Sequence, residues 1–158
     1  MEQPGTPTLE ELAAEEAELQ LPGFDEDDAW ALGTALVEAA RAAGAPVAID
    51  IRRHGHQLFH AALPGSSPDN DRWIERKARV VDRFGHSSLY VRVLCARDGS
   101  TLEDKFLLDG REFAAHGGAF PLLVRGVGPV GTVVVSGLPQ LEDHRMVVAA
   151  LREHLARG

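Results

Sequence analysis

The chain reads as an α+β domain, a four- or five-stranded antiparallel sheet covered by helices. Three observations predict it. The stretch from His116 to Gly137, HGGAFPLLVRGVGPVGTVVVSG, holds two apolar, β-rich runs joined by Gly126-Val127-Gly128-Pro129, the pattern of a hairpin. A second hairpin is written at Pro46 to Leu63, around His54-Gly55. Segments with helical periodicity precede, separate and follow the two hairpins. No strand-GxGxxG-helix unit occurs, so a doubly wound dinucleotide fold is not indicated.

The chain has 158 residues, one domain by length and enough for a sizeable core. Its formal net charge of −8 argues against nucleic acid or an anionic membrane as a partner, because phosphate binding needs clustered Lys and Arg. No apolar run reaches the length of a membrane span. The first twenty residues are acidic and do not resemble a signal peptide. Cys95 is the single cysteine, which leaves no internal disulfide and fits a cytoplasmic location.

Taken in order, Thr8 and Glu11 have capping-box spacing and open a short helix with a narrow apolar stripe. Residues 1–23 are read as an N-terminal arm that docks on this subunit or another, and residues 24–158 as the main domain. Asp25 caps a second helix, stopped by Gly44 and Pro46. It is rich in alanine and contains Gly33, a composition suited to close packing. In the first hairpin, Val47, Ile49 and Ile51 point one way and Ala48, Asp50 and Arg52 the other. A two-residue turn sets Ile51 opposite Leu58, Ile49 opposite His60 and Asp50 opposite Phe59. His54, His56 and His60 lack the carboxylate or thiol partners of a metal set and read as hairpin histidines.

The helix from Ser67 to Phe84 carries the most information. Trp73, Ile74, Ala78, Val80, Val81 and Phe84 form one stripe, and Lys77 lies in the middle of it. A lysine there must snorkel, pair with Asp50 or another carboxylate, or meet a ligand. Ser87-Ser88 opens a helix to about Arg97, although its residues also suit a strand. A short helix lies within Ser100 to Asp109. The last helix follows Ser136-Gly137-Leu138-Pro139, with Leu141, His144, Val148, Leu151 and Leu155 as its stripe. The second hairpin is nearly all apolar, so both its faces are expected to be covered, at the centre of the sheet.

Three segments together carry a resemblance: PVAIDIRRHGHQLFHAALPG, RKARVVDRF around Lys77, and AHGGAFPLLVRGVGPVGTVVVSG. In that order they resemble the GlcG/HbpS-like proteins, also called the haem-degrading or PduO C-terminal domain family. FDEDDAWALGTALVEAA and SGLPQLEDHRMVVAAL resemble its uncharacterised protein family 0303 branch, and the likeness covers about residues 8 to 156. It implies a profilin-like or PAS-like three-layer α-β-α domain that forms homodimers or larger rings of dimers. It carries over Lys77, Gly117, Gly118, Gly131, Ser136 and Gly137, in binding or in packing. Some relatives bind haem, so haem is an allowed cofactor, although no residue pattern here demands one. His116 and His144 are the weak metal or axial-ligand candidates. A histidine on an apolar face is also a common hydrogen-bonded core residue, the competing reading for His144.

The expected function is a non-catalytic protein that binds a small anionic or amphipathic ligand, tetrapyrrole-like molecules included. The candidate site is Lys77, His116, Gly117, Gly118, Ser136 and Gly137. An alternative is an interaction scaffold without a ligand. An enzyme using Lys77 or His116 as acid/base is the third, but the chain has no G-x-S-x-G elbow, metal triad or phosphate loop.

Overall fold

The computed structural model describes residues 3–158. Its elements run α1 (Leu9–Glu18), β1 (Gln20–Leu21), α2 (Glu26–Ala43), β2 (Ala48–Arg53), β3 (His56–Ala62), α3 (Pro68–Phe84), α4 (Ser88–Arg97), α5 (Leu102–Phe106), β4 (Ala119–Val124), β5 (Gly128–Ser136) and α6 (Gln140–Ala156). One five-stranded sheet has the order β1-β4-β5-β2-β3, so the glycine-rich hairpin holds its centre. The sheet is mostly antiparallel. The departure from the expected pattern is β1, which pairs parallel with β4 through Gln20 and Leu21.

The sheet has two covered faces. On one, α2 and α6 bury Leu32, Leu36, Val147 and Leu151 against Ile49, Ile51, Phe120, Val133 and Val135. On the other, α3 sets Ile74, Ala78 and Val81 on Ala48, Ala119 and Val134. Further out, α4 and α5 pack Cys95 and Leu102 against Val80. Alternation along β2 and β5 divides these side chains between the layers, and the result is the expected α-β-α sandwich.

Local chemistry explains the boundaries. Capping boxes at Thr8, Asp25 and Ser67 start α1, α2 and α3, and Gly44 and Gly85 end α2 and α3 in the left-handed region. His54 and Gly55 both have positive φ, as a two-residue hairpin turn with right-handed strand twist requires. Gly33 lets α2 lie on β3: a Cβ there would stand 2.4 Å from the Phe59 ring.

The register of the first hairpin differs from expectation. Arg53 faces His56 and Arg52 faces Gln57, as the turn dictates, but a bulge between Ile51 and Arg52 shifts the remaining pairs by one. Asp50 therefore faces His60, and Ile51 faces Phe59. Asp50 is fully buried, and it accepts hydrogen bonds from Arg52 Nε at 2.8 Å and Gln57 Nε2 at 2.6 Å, with His60 Nδ1 at 3.1 Å. Those contacts supply what a buried carboxylate needs. Asp50 is thus committed to the hairpin and does not pair with Lys77.

Residues 9–21 are built into this framework. Leu12 packs with Leu89 of α4 and Leu141 of α6, while Leu19 and Leu21 enter the core beside α2. Glu15 Oε1 lies 2.8 Å from His144 Nε2, and Glu16 Oε1 lies 2.7 Å from His86 Nδ1. The segment closes one edge of the sheet against elements from both helical layers.

Candidate functional site

Lys77 reaches from α3 to the junction of the two strands and the last helix. Its Nζ donates to Val135 O at 2.8 Å and Gly117 O at 3.0 Å, and lies 3.5 Å from Asp143 Oδ2. Three acceptors match the three protons of an ammonium. Lys77 is 2% exposed and Asp143 equally so. Burial pulls the Lys77 ammonium below the ordinary lysine range, with Asp143 opposing. Burial likewise pushes Asp143 up to about 6, against Lys77 and the backbone N–H groups of Leu138 and Gly137. Those two N–H groups donate to Asp143 at 3.0 and 3.3 Å. The carboxylate thereby fastens the loop after β5 to the first turn of α6.

The glycines make this geometry accessible. Gly118 has φ of +130°, and a Cβ there would fall 2.4 Å from both Lys77 Nζ and Val135 O. At Gly137, φ of +148° and the nearby carbonyl of Pro46 impose the same restriction. Such positions exclude side chains that other residues must carry. Gly131 lies elsewhere, over the backbone of Arg52 and Arg53 in β2, where it permits close strand packing.

A cleft of about 270 Å³ opens over this anchor, and its lining includes Lys77, His116, Gly117, Ser136 and Gly137, with Gly118 directly behind. Five of the six positions marked in the sequence thus line one concavity. Trp73 joins them, its ring edge-on to His116 at 5.0 Å between centroids. His116 is half-buried, and burial followed by the charges of Arg92, Lys77 and Arg76 lowers its pKa to about 4. It is a neutral imidazole near pH 7. His144 is placed elsewhere: it is 2% exposed, held by Glu15 and near Phe120.

Asp143, Gln140, Asn70, Trp73 and Arg76 were not marked as site residues. Asp143 could have been suspected, since a carboxylate in the first turn of a helix is well placed to accept from the backbone N–H groups before it. Gln140 accepts from Gly117 N at 3.0 Å through its side-chain oxygen, a tertiary contact without a sequence signal. Among the described residues, no cluster of three or more His, Cys, Asp or Glu could hold a metal ion.

The fit to haem is incomplete. His116 has the donor chemistry of an axial ligand, being neutral and facing a cleft. The remaining wall, with Asn70, Lys77, Ser136, Gln140 and Asp143, is polar rather than an apolar slot. At about 270 Å³ the cleft is also below the roughly 300–1,000 Å³ of sites that enclose drug-sized ligands. One chain does not build a haem pocket here.

Comparison with known proteins places this geometry. The family described as "Haem degrading protein HbpS-like" matches residues 24–152. A UPF0303 protein of Streptomyces avermitilis is 60% identical over 151 residues, covering 96% of this chain and 93% of the relative. A UPF0303 protein of Paraburkholderia xenovorans is 48% identical, covering 93% and 89%. The crystal structure of the Ybr137w protein superposes with a TM-score of 0.88 at 40% identity, over 97% of this chain and 90% of that one. The fold is shared at a TM-score of 0.68 and 19% identity with a PduOC:heme complex, over 82% of this chain and 94% of that one. The chain belongs to the HbpS-like family, within its UPF0303 group.

Proposed function

We propose that the protein is a non-catalytic binder of a small anionic or amphipathic molecule, received in the cleft above Lys77. The observation that carries this reading is the convergence of Trp73, His116, Gly117, Ser136 and Gly137 on one concavity with cations around it. The polar groups there are held rather than poised for proton transfer. Lys77 has its protons engaged by three acceptors, Asp143 is tied to two N–H groups, and no hydrogen bond joins Ser136 to a base among the described residues. Trp73 offers an aromatic wall and His116 a neutral ring nitrogen, groups that orient a ligand.

The family description and the haem complex of a structural neighbour make a tetrapyrrole the first probe to try. Self-association, as a homodimer or a ring of dimers, completes the proposal, since neighbouring subunits could extend a shallow cleft. Native mass spectrometry of the full chain, as purified and with added hemin, tests both parts. The expected result is a discrete even oligomer carrying a stoichiometric small-molecule adduct. The adduct should disappear in Trp73→Ala/His116→Ala while the oligomer persists. A protein that carries nothing and ignores hemin would overturn the binding reading and favour a scaffold.

A further inference from the structure

A second cleft, of about 180 Å³, lies on the far side of His116, between α3, α4 and the segment leading into α5. His116 lines both clefts, so they are neighbours across one imidazole. The walls of the second include Arg76, Arg92, Ser100, Thr101 and Glu103. At about 180 Å³ it suits a small acid and is too small for a macrocycle.

Arg76 is the residue that needs explaining. Its guanidinium lies 4.5 Å from the centroid of the Trp73 ring and donates through Nη2 to Gly110 O at 2.8 Å. Its Nε is buried and has no hydrogen-bond partner among the described residues. A buried donor left unsatisfied costs about 1–3 kcal/mol, and more when charged, so such a group in a native fold calls for a partner. Among the described residues no carboxylate makes an ion pair with Arg76, whereas Arg52, Arg53, Arg97 and Arg152 each have one. Arg92, Ser100 and Thr101 line the same cleft and add polar groups to it.

Glu103 sets the class of anion. Its carboxylate shares the wall with the two arginines and repels like charge brought into the cleft. A phosphate dianion meets more of that repulsion than a monoanion does. The planar guanidinium also matches the two oxygens of a carboxylate. The geometry points to a carboxylate-binding subsite at Arg76 and Arg92, which receives the acid group of a small ligand whose body passes Trp73 and His116 into the Lys77 cleft. The inference rests on the binding role proposed above and names the ligand class as a small carboxylic acid.

Trp73 lines the Lys77 cleft and its ring lies 4.5 Å from the Arg76 guanidinium, so its emission reports on the subsite. Trp30, 65% exposed on α2, is removed as background by Trp30→Phe in the full chain. The protein is titrated with benzoate, with benzyl alcohol as the uncharged counterpart and with inorganic phosphate. Benzoate should change the emission saturably, benzyl alcohol should not, and phosphate should bind at least tenfold more weakly than benzoate. Arg76→Gln should raise the benzoate Kd at least tenfold, and Arg76→Lys, which keeps the charge but not the fork, should raise it less. Should Arg76→Gln fail to fold, Arg76→Lys and Ser100→Ala carry the comparison. Equal binding of acid and alcohol, preference for phosphate, absence of benzoate binding, or an unchanged Kd in the folded variants would each overturn the subsite. If hemin or a copurified adduct still depends on Trp73 and His116, the subsite alone has failed. If benzoate binds through Arg76 while that dependence is absent, the cleft reading has failed instead.

Discussion

At the scale of single residues, the Lys77–Asp143 pair explains more of the sequence than any other contact. It is a buried ion pair with added backbone hydrogen bonds on both partners, so its net contribution is modest but breaking it is costly. Lys77→Met should destabilise the protein by about 3–5 kcal/mol, because Asp143 loses its counter-charge while it stays buried, and the carbonyls of Gly117 and Val135 lose their donor. Adding Asp143→Asn should restore part of that loss, giving a coupling energy of about 1–3 kcal/mol in a double-mutant cycle. Urea unfolding of the four proteins measures it, and strictly additive losses would dismiss the pair as a structural unit. His116 supplies a pH signature of opposite sign to Asp143. Its folded pKa of about 4 lies below the roughly 6.5 of a free histidine, so the unfolded chain binds more protons between those values. On this group stability rises as pH climbs from about 4 to about 6.5. Asp143, raised to about 6, does the reverse as pH climbs from the ordinary aspartate range near 4. The two slopes oppose each other in the native chain. His116→Gln removes one of them, so its deficit in urea midpoint relative to the native chain should widen from pH 4 to 6.5 and stay level above pH 7. A deficit independent of pH would show that His116 is not held neutral by its surroundings.

At the scale of elements, the legible and illegible parts of the fold separate cleanly. Caps, turns and periodicity are local, and they marked α2, α3, α6, both hairpins and the central place of the β4–β5 pair. The helix at Ser88–Arg97 was harder because its side chains suit either state, and packing of Leu89, Val91 and Cys95 against neighbouring elements settles it. The register of the first hairpin was legible only up to the bulge. Beyond it, His60 moves opposite Asp50 because a buried carboxylate needs donors, a requirement that comes from the folded environment and not from alternation. The site shows the same division. Lys77 stood out as a charge on an apolar stripe, and the glycines stood out by composition. Their companion Asp143 lies 66 positions away from Lys77, and the contacts of Trp73 with His116 and of Arg76 with Gly110 also join distant positions that no local pattern records. A resemblance across the chain could name those positions together, while only the fold shows that Lys77 faces Asp143 rather than Asp50.

At the scale of the molecule, the decisive feature is how the N-terminal segment joins the two helical layers. β1 extends the sheet beside β4, and α1 binds α4 and α6 through Leu12. Glu18 forms a two-point ion pair with Arg152 at the surface, where the contribution is small. Most of the segment's energy is apolar. Leu12, Leu19 and Leu21 are each at most 1% exposed, and burying a leucine contributes about 1.5–3 kcal/mol. Three of them amount to roughly 5–9 kcal/mol, comparable with the 5–15 kcal/mol that holds a typical domain together. Their removal also leaves β4 as an open, apolar sheet edge, a template for aggregation. A chain beginning at Phe24 should therefore lose its cooperative unfolding transition or associate nonspecifically, even though every residue of the Lys77 cleft is retained. The milder variant Leu12→Ala should stay folded with a loss of about 2–5 kcal/mol. Circular dichroism through a thermal ramp, with light scattering beside it, distinguishes the outcomes. A shortened chain that melts cooperatively near the native temperature would show that the segment is an appendage, and that the sheet from β4 to β3 is sufficient to hold the cleft.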